Sequence, residues 1–244
     1  MKPGWGAVLR GEPSDLDAWR HVLGNEFDPK TELHGEETIL RSASFDVLTN
    51  ADEVRAKALD IIDYLNGALA ISQGTKPVAF GGTVEITEDG RLHRTVFLEG
   101  VMSLGVTLRG RIEVFDKDGN PIPSVPRESE VQLWAGIAEA DDLLEEVLMY
   151  VGKEPTWFNI FKAIECLELR FGGGTEEGFL RLGWATASQV KLMKRSANTL
   201  RHAKQKFAPP EKPMSLRDAT SLLHSLLRRG LQEAAAEQRQ SGGA

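Results

Sequence analysis

VAFGGTVEITEDGRLHRTVFL, running from Val78 to Leu98, is the stretch that decides the fold class. Two strand-like runs flank Glu88-Asp89-Gly90. An Asp-Gly pair between such runs signals a hairpin, because Gly tolerates the positive φ of a tight turn. The pattern predicts a strand over Val78–Thr87, a return over Leu92–Leu98 and a third strand over Val106–Phe115. Gly81-Gly82, inside the first of these, reads as a bulge or bend.

Upstream, Trp5–Leu9 and Thr38–Phe45 read as further short strands. Ser14, with Asp17 three residues on, reads as the cap of a helix through Leu16, Trp19 and Leu23. Asn50 or Asp52 opens a stronger one, with Val54, Ala58, Ile61, Ile62 and Leu65 on one side and Gly67 near its end. The first half is therefore expected to be a mixed domain over 1–120, an antiparallel hairpin-rich sheet with the 51–66 helix across one face.

Downstream, Lys117–Glu130 holds Asp118-Gly119-Asn120 and three prolines, and it reads as a linker over 121–130. Beyond it the periodicity is helical, at about 131–151, 155–171, 186–206 and 215–238. Pro155 suits a first turn, Gly172-Gly173-Gly174 a stop, and Ser215 with Asp218 a capping box. An antiparallel helical bundle over 131–238 follows, with a frayed tail at 239–244. The fold class predicted is α+β.

The 244 residues carry 41% hydrophobic and 27% charged side chains, which is ordinary for a globular protein. No apolar run reaches the roughly 20 residues of a membrane helix. The segment MKPGWGAVLRGEPSD lacks the apolar core of a secretory signal, so no membrane association and a cytoplasmic location are expected. The one cysteine, Cys166, lies in the apolar run FKAIECLEL and reads as a small buried hydrophobe. Trp134, Trp157, Phe158 and Phe161 recur at helical spacing and read as core. Trp184 reads as a staple for the entry of the helix that follows it.

Motifs for familiar chemistry are absent. Gly172-Gly173-Gly174 lacks the Gly-Lys-Ser/Thr ending of a phosphate loop, and no Gly-x-Ser-x-Gly elbow occurs. His21, His34, His93, His202 and His224 are scattered without metal-ligand spacing, so neither a metal nor a cofactor is expected. Asp141, Asp142, Glu145 and Glu146 form an acidic helical face, read as solvated or salt-bridged.

Charge is unevenly distributed. Thr186–Arg229 holds ten Lys and Arg against Glu211 and Asp218, a balance of +8 in a chain of net charge −7, which leaves −15 on the remainder. Within it, Thr186–Phe207 carries six Lys and Arg and no acid. Arg195, Asn198 and His202 stand at i, i+3 and i+7 on one face, opposite Val190, Met193, Ala197 and Leu200. Such an imidazole can move a proton while the guanidinium holds a phosphate, with Asn198 orienting either group. Lys191, Lys194, Arg201 and Lys204 would supply a nonspecific electrostatic footprint for RNA.

At KRSANTLRHA the chain resembles the HEPN superfamily of small helical domains, whose members show an Arg, four to six residues and a His on an up-and-down bundle. Arg195 and His202, with six residues between them, match that pattern, and the resemblance covers about 131–238. It implies either a metal-independent ribonuclease whose site forms across a two-fold dimer, in a defence or toxin–antitoxin system, or a binding module that has lost activity. The strand-rich first half matches no HEPN element. The chain is also similar to uncharacterised bacterial proteins that end in a like Ala-Asn…Arg-His…Pro-Met-Ser-Leu segment.

Two functions are therefore expected. The first is a non-enzymatic interaction or regulatory module, since no second catalytic motif accompanies the basic helix and the opposed charge segments suit a protein interface. The second is a HEPN-like ribonuclease or RNA-binding domain. In that case Arg195, Asn198 and His202 need a homodimer, because one exposed helix encloses no phosphate and a two-fold axis would double the face. Packing of the 141–146 carboxylates against Lys191, Lys194 and Arg195 would favour the first.

Overall fold

The computed structural model describes residues 3–89, 91–97, 127–201 and 210–241. It is α+β, as the sequence predicts, with a five-stranded antiparallel sheet in the N-terminal half and helices in the C-terminal half. The expected strand Val106–Phe115, most of the 117–130 segment, His202 and Lys204 lie outside the described residues. The chain divides into two compact units, Met1–Leu59 with Val78–Gln132 and Asp60–Pro77 with Leu133–Ala244. The sequence predicts a boundary near 120–130; residues 60–77 belong to the same compact unit as the C-terminal helices.

The first unit contains β1 (Gly4–Arg10), α1 (Pro13–Leu23), β2 (Lys30–His34), β3 (Glu37–Arg41), β4 (Ala79–Ile86) and β5 (Leu92–Thr95). The strand order is β2-β3-β1-β4-β5, every pairing antiparallel. Ala7 lies opposite Leu40 and Thr83, while Val8 lies opposite Ile39. Successive residues of a strand face opposite ways. Since Ala7, Val8, Leu40, Ile39 and Thr83 are all fully buried, both faces of the sheet are covered. The register slips between Val8 and Leu9, which leaves Gly81 as the extra residue of the predicted bulge. At Gly82, φ is +132° and a Cβ would stand 2.7 Å from the Thr95 carbonyl oxygen, so only glycine fits.

Two local expectations change in this unit. The predicted strand Thr38–Phe45 ends at Arg41 and gives way to a 3₁₀ turn at Ala43–Phe45, and it pairs with β2, which periodicity did not reveal. The turn between them is Gly35-Glu36, with Gly35 at φ +60°. Helix α1 starts one residue before Ser14: Pro13 sits in its first turn and Glu12 at its N-cap, so the fixed proline φ rather than a serine hydroxyl sets the start. Glu37 of β3 accepts hydrogen bonds from Arg10 of β1 (3.2 Å) and Arg94 of β5 (2.6 Å), tying three strands on one face.

Helix α2 (Ala51–Gln73) carries one division between the units and α3 (Glu130–Ala140) the other. Asn50 caps α2 through the amide of Glu53 (3.0 Å). Gly67, expected near its end, lies inside it, and the helix stops at Gln73 before Gly74 at φ +65°.

In the second unit the predicted 131–151 helix is two, because Asp141 leaves helical geometry and caps α4 (Asp142–Val151) by accepting from the Leu144 amide (3.2 Å). Helix α5 (Trp157–Gly172) is the centre, packing against α4, α6 (Glu176–Leu180), α7 (Ala187–Arg201) and α8 (Leu216–Ser241). Thr156 caps α5, so Pro155 lies just before the helix rather than in its first turn, and Gly173 at φ +62° ends it, with its amide donating to the Glu168 carbonyl. Ser215 caps α8 as predicted, accepting from the Asp218 amide (3.1 Å). The helix continues to Ser241, so the segment expected to fray from 239 is helical that far. Trp134 and Phe161 are buried, but Phe158 is 52% exposed and contacts Tyr150 edge-on. Trp184 packs edge-on against Phe171 and Phe179.

Candidate functional site

The basic helix α7 is locally well specified. Thr186 and Gln189 form a reciprocal capping box: the Thr186 hydroxyl accepts from the Gln189 amide (3.2 Å), and the Gln189 side chain accepts from the Thr186 amide (3.0 Å). Val190, Met193 and Ala197 are fully buried, as their spacing predicts. Ser196 is buried with them, and its hydroxyl accepts from the Met214 amide (2.9 Å). That bond ties the segment before α8 to α7.

The predicted site residues divide into three groups. Lys191 and Arg195 are exposed, one helical turn apart, and Asn198 is half-buried beside them. Arg201 is the last described residue of α7, while His202 and Lys204 fall beyond it. Lys194 differs from the rest. Its ammonium donates to both oxygens of Glu168 (2.8 and 2.9 Å) and pairs with Glu176 (3.0 Å).

This triad links α5, α6 and α7, with the Lys194 side chain 18% exposed and that of Glu168 10%. Burial works against the lysine charge, but hydrogen bonds to Glu168 and Glu176 outweigh it and hold the ammonium above the ordinary lysine range. Burial, helped by Glu176 and Glu165, raises the Glu168 carboxyl despite Lys194.

The charge of Lys194 is thus neutralised inside the unit, by acids other than those the sequence singled out. Asp141 binds Arg170, which also pairs with Glu237. Glu146 accepts from Tyr150 (3.0 Å) and from the Cys166 thiol (3.3 Å). Burial first, then that bond to Glu146, pushes the Cys166 thiol up to about 12, so the thiolate form of a nucleophile is suppressed.

Among the described residues no group of His, Cys, Asp and Glu is arranged to hold a metal ion, and no helix is long and apolar enough to cross a membrane. A second constellation escaped the sequence reading. Arg217, Thr220 and His224 of α8 repeat the i, i+3, i+7 spacing of Arg195, Asn198 and His202, and all three line one open groove with Pro155, Leu216 and Ser221. The spacing was visible in the sequence, but the groove needs Pro155, about 60 residues away, to close it. Comparison with known proteins finds no matching family model, curated protein or solved structure.

Proposed function

We propose that this chain is a non-enzymatic interaction module, and that the exposed face of α7 bearing Lys191 and Arg195 contacts an acidic protein partner. The observation that carries this reading is the Lys194–Glu168–Glu176 triad. It takes the cation between Lys191 and Arg195 out of the surface field and fixes α7 to α5 and α6. A nonspecific nucleic-acid footprint relies on many free cations acting together, whereas a protein interface works through a few anchors on a rigid element, among which arginine is enriched.

The alternative is the HEPN-like ribonuclease, supported by the exposure of Arg195. Incubating the purified chain with single-stranded RNA in EDTA separates the two. The interaction reading expects no cleavage above that of an Arg195→Ala/His202→Ala control. Metal-independent cleavage lost in that control would replace the interaction reading with the nuclease one.

A further inference from the structure

We propose that the groove between the entry of α5 and the first turns of α8 binds a small organic anion, a carboxylate or phosphate carried on a flat apolar body. The groove is shallow and open to solvent, with about 400 Å³ of space above its walls. Pro155 and Leu216 supply an apolar wall, and Arg217, Ser221 and His224 supply the polar groups.

The charges around it leave Arg217 available. Asp218, its neighbour, is engaged by the Ser215 hydroxyl (2.6 Å), and Asp63 faces Lys153 (3.5 Å) at the rim of the adjoining cavity. Arg217 is exposed and has no carboxylate partner among the described residues. A guanidinium so placed presents a planar fork of donors matched to a carboxylate or phosphate.

His224 is half-buried and likewise makes no hydrogen bond among the described residues. Burial, reinforced by the Arg228 charge, holds its imidazole below the ordinary histidine range, so at neutral pH it is uncharged with one N–H to donate. The Ser221 hydroxyl adds a second neutral donor, whereas the Thr220 hydroxyl already donates to the Leu216 carbonyl (2.8 Å). Behind His224 lies a cavity of about 10 Å³ bordered by Tyr150, Lys153 and Asn159, close to the volume one water occupies. One cation, two neutral donors and an apolar wall match a singly or doubly charged head on a flat body better than they match a bare inorganic ion.

Titration of the full chain with phenyl phosphate, benzoate and inorganic phosphate, followed by the His224 ring resonances, tests this. Saturable shifts with one or both aromatic anions are expected, with inorganic phosphate binding at least about tenfold more weakly because it gains nothing from the apolar wall. Whichever aromatic anion binds tighter identifies the head group. Arg217→Gln should weaken binding by about tenfold or more, Arg217→Lys by less, and His224→Gln should weaken it with Arg217 intact, all without a change in melting temperature. Absence of saturable shifts, equal binding of inorganic phosphate, or affinity unchanged in Arg217→Gln would overturn the proposal.

Discussion

Gly67 of α2 packs directly on the Leu148 carbonyl of α4: a Cβ at position 67 would lie 2.1 Å from that oxygen. The reciprocal contact is as close, since a Cβ on Gly152 would lie 2.4 Å from the Asp63 carbonyl oxygen and 2.8 Å from the Gly67 amide nitrogen. The two glycines let the backbones of α2 and α4 meet where any side chain would hold them apart.

Gly67→Ala should therefore destabilise the protein by about 3 kcal/mol, although alanine is the better helix former. Urea denaturation measures it. A neutral or stabilising result would mean that the two helices separate at little cost.

Lys194→Met should cost about 2 kcal/mol, since it leaves Glu168 buried beside Glu176 without a cation. The pH dependence has a definite sign. The folded lysine titrates above its unfolded value, so its contribution is complete below about pH 10.4 and is lost as pH rises through the folded value. The stability difference between wild type and Lys194→Met, measured by denaturation across alkaline pH, should shrink over that window. A difference that grows there would contradict the triad.

Asp141→Ala removes both the cap of α4 and one of the two carboxylates on Arg170. A loss of about 1–2 kcal/mol is expected, with Asp141→Asn recovering the capping part but not the ion pair. Equal losses in the two variants would assign the whole effect to Arg170.

Cys166 should resist alkylation in the folded protein at pH 8, because burial and the bond to Glu146 push its thiol up to about 12. Mass spectrometry after iodoacetamide treatment should show modification only once denaturant unfolds the chain. Rapid modification of the native protein would contradict the assigned environment.

The legible parts of this fold were those governed by local rules. Glu88 and Asp89 turn between β4 and β5, the Gly81-Gly82 pair marks a bulge, and Ser215 caps α8, each because the chemistry acts within a few residues. The β2 strand was not legible, since KTELH has little apolar content and its pairing partner and turn decide it. Nor was Gln132, a buried side chain whose amide donates to Asn25 (2.7 Å) and to the Phe27 and Pro29 carbonyls (2.9 and 3.0 Å) over 100 residues away. The basic face of α7 was readable from periodicity. Neutralisation of Lys194 by Glu168 and Glu176 was not, because it depends on how three helices pack.

The interaction surface is tested most directly by a photo-reactive residue at position 188, exposed and one turn before Lys191 on α7, cross-linked in the native cell with Lys191→Glu as the control. A discrete adduct is expected that ribonuclease leaves intact and that the Lys191→Glu control loses while its melting temperature stays unchanged. An adduct consisting of RNA, or one indifferent to Lys191→Glu, would contradict it.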